Sequence, residues 1–243
     1  MIIKNQIITP QLLESIKDSR SIIFLNNTKG QDPKVIKNIP SNIDIRVMGG
    51  YNFNDDIKFL KPKYALRTEY SPKVLADAIT KMQEIEKEID PEWSDFTKAL
   101  FVFETLVKSI DYDYDNKCKQ EARNLTSLTT GFSRCAGFAI CFKEMMDRLN
   151  IKNEFRNISN THSCNILFYD SKPFVVDLTF ARDTLNQKSG DYRRFFGAFD
   201  PQKYFLTHIP VNDKYTNYHV FKLKTIKNCL NDIFPTQNIN CKK

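Results

Sequence analysis

The chain has 243 residues, 41% hydrophobic and 27% charged, and a formal net charge of +7. This ordinary globular composition excludes disordered and fibrous classes and suits one large domain, or a catalytic domain with a small N-terminal addition. No apolar run approaches the roughly 18 residues of a membrane helix, and the basic residues are scattered without a nucleic-acid motif, so neither a membrane nor a nucleic acid is expected as a partner.

The first twenty residues lack the apolar core and small-residue cleavage site of a signal peptide. The six cysteines are therefore expected as reduced thiols in a cytoplasmic protein, with delivery into another cell by a signal-independent route left open. Thr9-Pro10 predicts an N-cap followed by proline at the first helical position, with Leu12, Leu13 and Ile16 on one face. Ser21 to Leu25 and the alternating Ile43, Ile45 and Val47 before Gly49-Gly50 predict two strands, with a short helix near Pro33 to Ile36 between them.

Ser71-Pro72 starts a helix with apolar positions Val74, Leu75, Ala78, Ile79, Met82 and Ile85. Ser94 caps another, with Phe96, Ala99, Leu100, Phe103, Leu106, Val107 and Ile110, and a tyrosine- and aspartate-rich loop from Asp111 to Asn116 follows. From Arg134 to Asn150 the spacing is helical again, with Cys135 at the N-terminal end and Ala139, Phe142, Met146 and Leu149 near one face. Strand signals dominate from Glu154 to Thr179, and no internal repeat is visible. The expected division is a small α/β portion over 1–68, suited to target recognition, and an α+β catalytic body over 69–243.

Three residues in this body carry the chemistry. Cys135 opens a helix, where unpaired N–H groups and the positive end of the macrodipole favour thiolate over thiol and can hydrogen-bond an oxyanion. Arg134 adds positive charge beside it. His162 opens a strand, and Asp177 falls within the next apolar run, PFVVDLTF, where an unpaired carboxylate would be costly. The turn-rich link Tyr169 to Lys172 predicts an antiparallel hairpin. A two-residue loop at 169–170 sets His162 opposite Asp177, and a four-residue loop makes them diagonal neighbours. Either way they share a face, about 4.5–8 Å apart at Cβ. The plainer readings are a small buried hydrophobe for Cys135 and a satisfied structural histidine for His162. Joint order and placement favour nucleophile, base and orienting carboxylate. Zinc at Cys135, Cys141, His162 and Cys164 is the competing constellation, but it lacks a C-x₂-C pair and splits the helical cysteines between two sides, so no metal and no cofactor is expected. His208 and His219 read as structural.

The segment from about 94 to 185 resembles the transglutaminase-like superfamily, relatives of papain-type cysteine proteases. The resemblance is carried by Cys135-Ala-Gly137-Phe138, by His162-Ser-Cys-Asn165, by Asp177-Leu-Thr-Phe180 and by Ile110-Asp-Tyr-Asp-Tyr114. It implies an α+β fold with a nucleophile-bearing helix packed on an antiparallel sheet, a Cys135–His162–Asp177 triad, and substrate-binding roles for Arg134 and Asn165. Cys164 and Phe180 stand where the family usually has tryptophans. The implied activity is acyl transfer on a protein or peptide amide through a thioester. Proteolysis or glutamine deamidation is favoured over transamidation, because nothing marks an amine site. The alternative is a non-catalytic binding module of the same fold, or a secreted effector.

Overall fold

The computed structural model describes residues 1–4, 6–47, 69–118, 123–158, 162–199, 201 and 218–233. Gly49-Gly50, His208 and Cys241 lie outside the described residues.

The chain begins with three parallel strands, β1 (Ile2–Lys4), β2 (Ser21–Leu25) and β3 (Ile43–Val47), and β4 (Glu69–Tyr70) adds antiparallel to β3. Parallel neighbours require crossovers, and α1 (Pro10–Ile16) and α2 (Pro33–Lys37) supply them. Both helices start as their sequences dictate. Thr9 accepts from the Leu12 N–H, Asp32 accepts from the Lys34 N–H, and a proline follows each cap where its missing N–H costs nothing. Ile2 pairs with Ile22 and Ile22 with Asp44, so strand–helix units recur roughly 20 residues apart. This structural repeat is not visible in the sequence. It is carried by strand alternation and one short helix, while the loops differ in length and composition.

The body opens with α3 (Pro72–Lys87) and α4 (Asp95–Ser109), capped by Ser71 and Ser94 as expected. A two-stranded parallel ribbon follows, β5 (Asp111–Tyr112) with β6 (Phe132–Ser133), reached through the short helix α5 (Ser127–Thr130). Then come α6 (Cys135–Arg148) and the antiparallel sheet β7 (Asn153–Asn157), β8 (Ser163–Tyr169) and β9 (Lys172–Val176). The central helix α6 packs against β7 and β8. Leu167, Phe174 and Val176 join the main core, whereas Cys164, Ile166 and Val175 form a smaller cluster with Ile158.

The β8–β9 turn is two residues, Asp170 and Ser171, with φ of 47° and 63°. Two positive-φ positions are what a type I′ hairpin turn requires. Asn165 pairs with Val176 and Tyr169 with Lys172. The register is thus the one expected of a four-residue loop, reached with a tight turn one residue further along. A second difference bears on the site. The strand ends at Val176, and Asp177 is the N-cap of α7 (Leu178–Gln187) rather than a strand residue.

The portion before residue 69 shares one continuous core with the rest, from Ile3 to Ile233. A polar contact also joins it to α6. Glu144 accepts from the Thr28 N–H and, at 2.6 Å, from the Thr28 hydroxyl. Arg148 donates to the Thr28 carbonyl at 2.9 Å and clasps Glu86 at 2.6 and 2.7 Å. Burial of Glu144 outweighs these donors and pushes its carboxyl up to about 7 from 4.5. An acid whose folded pKa is raised binds its proton more tightly when native. Native stability therefore falls as pH rises from about 4.5 to about 7, by roughly 3 kcal/mol. A Glu144→Gln variant, neutral at every pH, is expected to melt above the wild type at pH 8 and to lose that advantage at pH 4.5, as differential scanning calorimetry would read.

Candidate active site

Cys135 is the first residue of α6, and the chain is aimed there by local devices. Gly131 ends α5 in the left-handed region at φ 73°, which a side chain would resist. Phe132 and Ser133 then pair with Asp111 and Tyr112. The Asp113 N–H donates to the Ser133 carbonyl at 2.8 Å, which carries the ribbon one step further. Arg134 is the extended N-cap residue of α6 and gives no side-chain cap. Its Nε instead donates to the Asp113 carbonyl at 3.2 Å, and its guanidinium lies 5.8 Å from the centre of the Tyr112 ring. Arg134 therefore fastens the Asp111–Tyr114 segment to the start of the helix.

His162 and Asp177 meet beyond the ends of the paired strands. His162 immediately precedes β8, Asp177 immediately follows β9, and their contact is 2.7 Å from Nε2 to Oδ2. The expectation that shared strand faces bring them together is thus replaced by a different cause. Asp177 is held by its N-cap role: Oδ1 accepts from the Phe180 N–H at 3.1 Å, and its own N–H donates to the Phe195 carbonyl at 2.9 Å. That leaves Oδ2 for the imidazole. His162 is 8% exposed and Asp177 is fully buried, so the pair sits in a low-dielectric site where its hydrogen bond counts for more than in water. The Phe180 ring stands edge-on to the imidazole at 4.8 Å and stacks on Phe195.

The Cys135 thiol hydrogen-bonds the His162 side chain. With Nε2 engaged by Asp177, the thiol faces the Nδ1 side of the ring. Burial alone would push the thiol up. The hydrogen bond and charge of His162, then the N–H groups of Ser163 and Ala136, outweigh burial and hold the thiol below its ordinary range. For His162 burial disfavours the charged ring, but Asp177 first and Cys135 second lift it to about 10. The two shifts are opposite in sign, and each group contributes to the other's, so the two titrate as a coupled pair.

The other expected residues fall elsewhere. Asn165 is wholly buried under α6, its Nδ2 donating to the Ala139 carbonyl at 2.9 Å, so it fixes the helix to the sheet and lines no accessible surface. Cys141 is buried against the Asn124 carbonyl, and Cys164 lies in the smaller cluster with Ile166 and Val175. Among the described residues no group of three His, Cys, Asp or Glu side chains is placed to hold a metal ion. His219 packs on Phe221 and Tyr169, beside an open cavity of about 450 Å³ lined by Phe96, Phe168, Tyr169 and Phe221. That cavity lies at the Tyr169 end of β8, about 20 Å along the strand from His162. Tyr112, whose importance the sequence did not signal beyond its tyrosine-rich loop, pairs with Ser133 two residues before Cys135, near enough for the charge of Cys135 to act on its phenol.

No known protein family matches the chain, and no curated protein does. Among solved structures, one described as "Crystal structure of a TGase" is similar at 17% identity and a TM-score of 0.39. The match covers 52% of this chain and 37% of that one. The chain thus spans little more than a third of that neighbour. No helix among the described residues is long and apolar enough to cross a membrane.

Proposed function

We propose that the chain is a cysteine-dependent acyl-transfer enzyme of the transglutaminase-like kind, acting on a protein or peptide amide. The observation that carries this reading is the chain of contacts from the half-buried Cys135 thiol through the buried His162 imidazole to Asp177. The Cys135 thiolate forms a bond to the carbonyl carbon, and the π pair moves to oxygen. When that pair returns, the C–N bond breaks and the His162 imidazolium gives its proton to the leaving amine. His162, now neutral, takes a proton from water, and the resulting hydroxide opens the thioester. An amine in place of water would give transamidation. Hydrolysis is the favoured outcome, since water needs no acceptor site of its own.

The test uses an activated ester first, because it reports on the nucleophile without knowledge of the substrate. With p-nitrophenyl acetate the protein is expected to release nitrophenol in a burst and to carry one acetyl group on Cys135, read by peptide mass. A Cys135→Ala variant is expected to lose this by about 10³-fold or more. A wild type that never acylates would remove the reading. Incubation with glutamine-containing peptides then separates the outcomes: a small mass gain for deamidation, fragments for proteolysis, adducts for transamidation.

A further inference from the structure

An acyl-transfer site needs more than its nucleophile and base. As the thiolate attacks, a full negative charge develops on the former carbonyl oxygen, and donors must already be aimed at it. The first turn of α6 offers backbone N–H groups. Among the described residues one further side chain near Cys135 has the right chemistry and position.

That side chain is Tyr112. It sits on β5, directly paired with Ser133, two residues before Cys135. Its ring is held on two sides, by Tyr114 at 4.7 Å between centroids and by the Arg134 guanidinium at 5.8 Å. Tyr114 is itself tied down by its hydroxyl, which donates to Asp183. The Tyr112 hydroxyl makes no hydrogen bond of its own among the described residues, although the residue is only partly exposed. A half-buried phenol at this position can exchange a water partner for a substrate oxygen.

We infer that the Tyr112 hydroxyl donates a hydrogen bond to the oxyanion formed when Cys135 attacks a carbonyl, completing the site with the backbone N–H groups of α6. The inference rests on the acyl-transfer reading and deepens it. Burial first, and the negative charge of Cys135 second, raise the phenol above its ordinary pKa, with Arg134 and Arg123 opposing. The group therefore stays protonated, and able to donate, through the neutral range. Arg134 then acts as a positioning residue, since it braces the Tyr112 ring and the Asp113 backbone rather than the reacting atoms.

Two reactions of the same sulfur separate this role from a structural one. Alkylation by iodoacetamide makes no oxyanion, whereas acylation by p-nitrophenyl acetate does. Tyr112→Phe keeps the ring and its packing and removes only the donor. It is expected to slow acylation by about 10²- to 10³-fold while alkylation at the same pH stays within about twofold of wild type. If Tyr112→Phe acylates at the wild-type rate, or if alkylation falls in step with acylation, the oxyanion role is overturned. If the wild type alkylates but never acylates, the acyl-transfer reading itself fails. That result is distinct from either of the others.

Discussion

His162→Ala is expected to slow alkylation of Cys135 at pH 6 by about 10²-fold, while alkylation of Cys229 in the same tube is unchanged. In the wild type, burial pushes the thiol up, and His162 supplies the two largest influences that bring it down. Without the imidazole the burial penalty remains, opposed only by the N–H groups of Ser163 and Ala136, and the thiol moves up. At pH 6 the thiolate is then scarce. The rate falls by less than the thiolate population does, because a thiolate of higher pKa is intrinsically more nucleophilic. The wild-type pH profile follows with its sign. Reactivity appears as pH rises through the lowered thiol pKa, and the thiolate–imidazolium pair persists until the ring loses its proton near 10. Above that, acyl transfer should fail, because the leaving amine has lost its acid, while alkylation continues. The same pair makes a stability prediction: a histidine raised from 6.5 to about 10 stabilises the native state most below 6.5, and loses that contribution as pH rises toward 10. The measurement is iodoacetamide labelling across pH 5 to 11, read residue by residue by mass. Equal rates for wild type and His162→Ala at pH 6 would sink the ion-pair account.

Local signals in the sequence were reliable where one residue type does one job. Thr9, Ser71 and Ser94 are caps because each offers an oxygen to an orphaned N–H three residues on, and Pro10 and Pro72 follow two of them. Cys135 at the start of a helix was legible for the same reason. The run PFVVDLTF was not, because apolar residues surround the aspartate and read as one continuous strand. The signal that divides it was present: aspartate is a preferred N-cap, and LTFARDTLNQ after it carries helical spacing. Reading it so would have placed Asp177 at a strand–helix junction, with one carboxylate oxygen on the cap and the other toward His162. The Tyr112–Ser133 pairing was beyond local reading altogether. It joins two segments of two residues each through a parallel ribbon, and nothing in either segment names the other. Asn165 was misplaced in the opposite sense. A polar residue in a motif suggested contact with substrate, while the fold uses its amide inside the core to hold α6.

Asp177→Asn is expected to lower acyl transfer by about 10³- to 10⁴-fold, and to lose the stability that the charged pair supplies below pH 10 while keeping the start of α7. The two oxygens of Asp177 do separate work. Oδ1 accepts from the Phe180 N–H and starts α7, and Oδ2 accepts from His162 Nε2. Asparagine keeps the first function, since its carbonyl oxygen caps as well as a carboxylate does. In the second position it presents an N–H₂ group, which can only donate. Nε2 must then accept, so the ring proton moves to Nδ1, on the side that faces the thiol, and the ring cannot take a proton from Cys135. The ion pair is lost with the charge that sustained it, because Asp177 is the largest influence raising His162. Asp177→Ala differs in one respect. It removes the cap as well, at about 1 kcal/mol, and opens space beside a buried ring, so it should lower both activity and melting temperature. The pair of variants therefore separates electrostatics from architecture. An asparagine variant that melts above Asp177→Ala yet has lost both the p-nitrophenyl acetate burst and the enhanced alkylation at pH 6 places the effect on the proton relay. If Asp177→Asn acylates within about threefold of wild type, the carboxylate serves the helix alone, and His162 must be oriented by the edge contact with Phe180 and the chain entering β8.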